Sequence, residues 1–214
     1  MPVLGLLTMF TGLAGCEPIA VLDHPLVDAR TARADNELVG YWKQVPDDAT
    51  DSIHPVPATI GLDKSNPRLH EGVFMELEDD GKVKVHRLKI PTTRLALPSS
   101  SSPLRLMTVA ARDVDPENKA AKGYLLLRYE IQAGQRLKLF LMNSLVIAEA
   151  IEAKKLPGVA RRAKPTADGS KLKTKYDEIR ITASPAELTA YLKKTGAACF
   201  DKKRLIEFQK IVTD

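Results

Sequence analysis

The chain has 214 residues, 44% apolar and 28% charged, with a formal net charge of +5. That is room for one sizeable domain or two small ones, at the apolar content of an ordinary globular fold. Two cysteines allow at most one bridge, and five Phe, five Tyr and one Trp offer little for base stacking, so neither a disulfide scaffold nor a nucleic-acid binder is expected.

Residues 3–15 carry no charge. The stretch is too short for a membrane-spanning helix, which takes roughly 20 apolar residues, and it fits the apolar middle of a secretory signal. It ends on Leu13-Ala14-Gly15-Cys16, small residues before a cysteine, which resembles a bacterial lipobox. The resemblance implies a signal peptide over 1–15, read by the signal peptidase at Leu13, Ala14 and Gly15. Cleavage before Cys16 and attachment of a diacylglyceryl group with palmitate-type chains to the Cys16 thiol, as a thioether, would follow. Each buried CH₂ contributes about 0.8 kcal/mol, so two or three chains anchor firmly. Signals usually open on Lys or Arg, whereas Met1-Pro2 offers only the terminal amine. Glu17 stands where some bacteria use aspartate as an inner-membrane retention signal. The implied location is therefore the cell envelope, and the outer membrane in a two-membraned cell. With Cys16 acylated, Cys199 has no bridge partner and is expected as a small buried side chain; without acylation, a Cys16–Cys199 bridge becomes available.

Residues 16–36, polar and interrupted by Pro18 and Pro25, read as a lipidated tether, leaving 37–214 as one domain. Within it, alternation and turn signals predict strands over 39–45, 58–62, 72–78, 82–90, 105–112, 124–131, 136–142, 178–182 and 204–212. Two hairpins can be set in register. Asp79-Asp80-Gly81, with glycine at the left-handed position, places Leu77 opposite Val83, Glu76 opposite Lys84 and Met75 opposite Val85. One face is then apolar and the other pairs opposite charges. Leu88 and Ile90 fall out of phase with that face, which predicts a bulge near His86 and Arg87. Around Ala133-Gly134-Gln135, Ile131 faces Leu137, Glu130 faces Lys138 and Tyr129 faces Leu139. The inner face is then Leu125, Leu127, Tyr129, Ile131, Leu137, Leu139 and Leu141, while Leu126 and Phe140 on the outer face call for a covering helix.

Two helices can supply that cover. Asn143 caps one over 144–155, ended by Pro157-Gly158. Ser184-Pro185-Ala186-Glu187 is a capping box with proline at the first helical position, opening a helix over 185–198. Between the helices, residues 154–175 gather Lys154, Lys155, Arg161, Arg162, Lys164, Lys171, Lys173 and Lys175 against Asp168 alone, a basic stretch suited to anionic headgroups or an acidic partner.

No nucleophile elbow, zinc-protease helix or glycine-rich phosphate loop is present. His24, His54, His70 and His86 lack metal-ligand spacing, so neither metal nor cofactor is expected. The acidic group Glu76, Glu78, Asp79 and Asp80 faces Lys82 and Lys84 across its hairpin, which argues against a calcium site.

Leu38-Val39-Gly40-Tyr41-Trp42 resembles the G-x-W signature that opens lipocalin-type barrels. In that family the tryptophan closes one barrel end, often against an arginine of a late strand, for which Arg204 is the candidate. The lipobox, the G-x-W strand, the hairpin over 124–142, the Ala- and Ile-rich helix and the final Ser-Pro-Ala-Glu-Leu helix occur in the order of uncharacterised, planctomycete-type lipocalin-like lipoproteins. The expected fold is mainly β, an antiparallel lipocalin-like barrel or strongly curved sheet with two flanking α-helices. The expected role is a membrane-anchored, non-enzymatic protein binding a small apolar or lipid-like ligand, its cavity lined by Trp42, Met75, Leu77, Val83, Val85, Leu127, Tyr129 and Leu139. The alternative is an envelope scaffold without a ligand, docking a protein partner through its basic stretch.

Overall fold

The computed structural model describes residues 18–45, 57–77, 82–98, 100–114, 122–133, 135–163 and 175–212, with backbone only at 76–77 and 203–205. Eight antiparallel strands close into a barrel: β2 (Gly40–Gln44), β3 (Pro57–Leu62), β4 (Leu69–Leu77), β5 (Val83–Leu95), β6 (Leu104–Ala110), β7 (Tyr124–Gln132), β8 (Arg136–Met142) and β11 (Phe200–Ile211). Each pairs with the next, and β11 closes the circle on β2. The chain between β8 and β11 builds a second layer: α2 (Ser144–Glu152), β9 (Gly158–Arg162), β10 (Tyr176–Ile181) and α3 (Pro185–Thr195). A four-residue helix, α1 (Ala111–Val114), follows β6.

Both hairpin registers agree with the sequence analysis, Leu77 facing Val83 and Ile131 facing Leu137. They set Glu76 opposite Lys84 and Glu130 opposite Lys138, and a one-residue slip would exchange the two faces. The caps agree as well. Asn143 accepts from Val146 N, and Ser184 and Glu187 make both bonds of the capping box. Ser184→Ala is expected to cost about 1 kcal/mol in denaturant unfolding by removing the side-chain acceptor of Glu187 N.

Residues 18–36 differ from expectation. In place of a tether they form β1 (Val21–Leu22), parallel to β10 and antiparallel to β7 at Tyr124, and they bury Ala20, Leu22, Val27 and Ala32. Gly123, with a φ of +95°, permits this: a Cβ there would collide with the Leu22 carbonyl. A two-residue strand carries too little alternation to be read from sequence. β9 was hidden in the same way by its basic composition.

Two cores result. Leu126, Phe140 and Met142, on the outer faces of β7 and β8, are sealed by α2, α3 and β10 through Ile147, Ala148, Ile181, Leu188 and Leu192. The other core fills the barrel. Cys199 is buried in the outer layer, where burial pushes its thiol pKa up to about 11 and leaves it inert. Cys16 lies outside the described residues.

Candidate functional site

The barrel has two unlike ends. At the closed end, Asp35 caps a 3₁₀ turn (Asn36–Leu38) that tucks Leu38 under the strands, and Trp42 Nε1 donates to the Leu38 carbonyl at 2.9 Å. Trp42 and Leu38 are fully buried. The Lys210 ammonium of β11 lies 5.3 Å from the Trp42 ring centroid. It reaches the ring by crossing Gly40, where a Cβ would strike its stem. The cation beside Trp42 is Lys210 and not the expected Arg204, which lies six residues earlier on β11, towards the mouth, and whose side chain lies outside the described residues.

Beneath this plug sits a buried polar network that no sequence motif marks. The Asp35 carboxylate accepts from Tyr129 Oη at 2.8 Å and Arg94 Nη2 at 3.0 Å, and Arg105 Nη1 stands 3.5 Å away. Arg105 also binds Glu37 at 2.9 Å. Burial opposes the Asp35 charge, but the bonds from Tyr129 and Arg94 and the two guanidinium charges outweigh it. Its pKa therefore lies below the ordinary carboxylate value. Burial, reinforced by Asp35, pushes Tyr129 far above an ordinary phenol. His70, fully buried, holds Nε2 3.3 Å from Asp35 N and 3.1 Å from its carbonyl oxygen, and burial lowers its pKa.

A pH dependence follows. The folded chain resists protonating His70, whereas the unfolded chain binds that proton near pH 6.5. Stability therefore falls as pH drops below about 6.5, by up to about 1.4 kcal/mol per pH unit, until the lowered pKa is passed. Asp35 adds a further loss below about pH 4, where its unfolded form takes up a proton first. Urea titrations between pH 7 and 5 should show the slope in the parent and a smaller one in His70→Gln.

The opposite end, the mouth, is split. β5 and β6 pair only from Thr92 with Met107 to Leu95 with Leu104. The next residue of β5 is Pro91, which has no N–H to donate, and ladders end at such positions. Towards the mouth, residues 83–91 pair with β4 alone and 108–110 with β7 alone. α1 sits at this opening and buries Val114 in the barrel core. Beneath lies a cavity of about 50 Å³ whose lining is wholly apolar: Leu88 and Ile90 of β5, Met107 and Val109 of β6, Val114, and Leu127 and Leu139 behind them. Phe74 and Phe208 meet edge-on across the lumen, centroids 6.5 Å apart. These rings join Trp42, Met107 and Tyr129 in the cluster that packs the interior. Pockets for drug-sized ligands run to about 300–1,000 Å³.

The expected liners divide. Trp42, Leu127, Tyr129 and Leu139 belong to or pack against the interior cluster. Met75, Val83 and Val85 do not: they are 38%, 60% and 51% exposed, on the outside of the β4–β5 ribbon. The register runs unbroken from Leu77–Val83 to Leu69–Pro91, without the expected bulge, so Phe74, His86, Leu88 and Ile90 take the inside and the tip's apolar row faces out. The side chain of Leu77 lies outside the described residues.

Part of the basic stretch is structured. Arg162 of β9 makes two bonds to Glu152 at 2.8 and 3.0 Å, Arg161 pairs with Glu178 at 3.3 Å and Lys175 with Glu149 at 3.8 Å. Lys154 and Lys155 are exposed, Lys154 with the left-handed φ of 56° that ends α2. Lys164, Lys171 and Lys173 lie outside the described residues, as do Leu13, Ala14 and Gly15. His24 is exposed, and no group of three metal-ligating side chains occurs among the described residues. Comparison with family models, with curated proteins and with solved structures found no match, so the chain is characterised by its own geometry: a closed eight-stranded antiparallel barrel with one sealed end and one split mouth.

Proposed function

We propose that this chain is a lipid-anchored envelope protein of lipocalin-like type, without catalytic activity, that binds a small or slender apolar ligand in its barrel. The observation that carries the reading is the purely apolar cavity under the β5–β6 opening, lined at that opening by Val114 of α1. Its 50 Å³ suits an occupant little larger than one or two waters, yet an apolar space of this kind stays dry and favours apolar guests. Shortening the Val114 side chain would widen the space at the opening. The lipobox at Leu13-Ala14-Gly15-Cys16 supplies the location, and Glu17 favours an outer membrane where two exist.

Methyl-detected NMR with xenon and then with short n-alkanols tests the ligand site. Saturable shifts confined to the methyls of Val109, Val114, Leu125 and Leu127 are the expected result. Val109→Phe, which puts a ring into the free space, should weaken binding at least tenfold, and Val114→Ala should admit longer alkanols. Shifts that never saturate, or that persist unchanged in Val109→Phe, contradict the reading.

A further inference from the structure

Pro18 is fixed at the mouth. Its carbonyl accepts a hydrogen bond from Ser144 Oγ at 2.6 Å, and Ser144 opens α2 directly after β8 reaches the mouth at Met142. Ile19 and Val21 pack against the interior cluster. Only Glu17 separates Pro18 from Cys16, and two residues of chain reach at most about 7 Å. The headgroup layer of one leaflet is of the same order, about 5–8 Å, being half the difference between a bilayer and its hydrocarbon core. An acyl group on Cys16 would therefore hold the mouth itself at headgroup level, with no stalk between fold and membrane.

The side chains around Pro18 suit that position. Leu145, beside Ser144 in the first turn of α2, is 39% exposed. Lys122, just before β7, and Lys202, near the start of β11, are exposed on either side of the β8 end. An apolar side chain between two cations matches the acyl boundary below and anionic headgroups around it.

We propose that the β7–β8–β11 sector of the mouth is a membrane-docking surface, seated on a lipid bilayer with Leu145 at the acyl boundary and Trp42 at the end pointing away. The proposal rests on acylation of Cys16.

The test uses the acylated full chain in vesicles of phosphatidylcholine and phosphatidylglycerol with brominated acyl chains, which quench indoles at the boundary. Leu145→Trp should lose most of the added emission, while Leu62→Trp, an exposed site at the closed end, and native Trp42 keep theirs. Raising the salt should leave Leu145→Trp attached but reduce its quenching. Equal quenching of both added indoles, or none at position 145 in a chain whose mass proves acylation, overturns the docking surface alone. An unmodified Cys16 thiol in protein recovered from the producing membrane overturns the docking surface together with the anchor it depends on.

Discussion

Asp35→Ala should lower the free energy of unfolding by about 3 kcal/mol, measured by urea denaturation at pH 7. One carboxylate caps the 3₁₀ turn, accepts the Tyr129 hydroxyl and faces two guanidinium groups. Removing it strands a buried phenol and leaves Arg105 with Glu37 alone, and breaking a buried, hydrogen-bonded charge cluster typically costs about 3–5 kcal/mol. The lower end applies because Arg94 is half exposed and water compensates part of its loss. Asp35→Asn keeps a cap and an acceptor for Tyr129, so it should cost less than half as much. If Asn proves as damaging as Ala, charge rather than hydrogen bonding holds the closed end.

Trp42→Ala should cost as much or more, about 3–5 kcal/mol, as expected for deleting a fully buried indole. The loss adds a cavity, the Nε1 bond to the Leu38 carbonyl and the ring under Lys210. Trp42→Phe keeps an aromatic plug without the N–H and should cost about 1–2 kcal/mol. Because the closed end is separate from the apolar cavity, Trp42→Phe should leave alkanol binding within twofold of the parent.

Local information made much of the fold legible. In the sequence, Glu76 against Lys84 and Glu130 against Lys138 pointed to both hairpin registers, and Asn143 and Ser184 marked the starts of their helices. Leu126 and Phe140, apolar on a face that also carries Arg128, correctly signalled a covering layer. The error on β4 and β5 has a physical origin. Apolar alternation at the tip has the opposite phase to that in the body of the same strands, and only the body meets the other side of the barrel. Phe74 and Leu88 set the inside; Met75 and Val85 merely continue the ladder past the rim.

The closed-end network was beyond sequence reasoning for a different reason. Asp35 meets Arg94 across 59 positions and Tyr129 across 94, and none of the three stands in a motif. One local signal was available. Asp35 stands three residues before Leu38, directly ahead of the G-x-W strand, where a capped turn entering a barrel would begin. Treating residues 16–36 as a tether hid it. The split mouth also had a signal, in Pro91 within an otherwise strand-like run and Val114 alone among polar neighbours, but neither points to the other without the barrel.

Native mass spectrometry of the full chain, extracted gently from the membrane that makes it, tests the proposed ligand-binding lipoprotein most directly. The expected spectrum shows a chain beginning at an acylated Cys16, with one apolar molecule held non-covalently and lost in Val109→Phe. A bare acylated chain, under conditions that preserve weak complexes, would contradict the ligand-binding account. An unacylated chain would contradict the anchor.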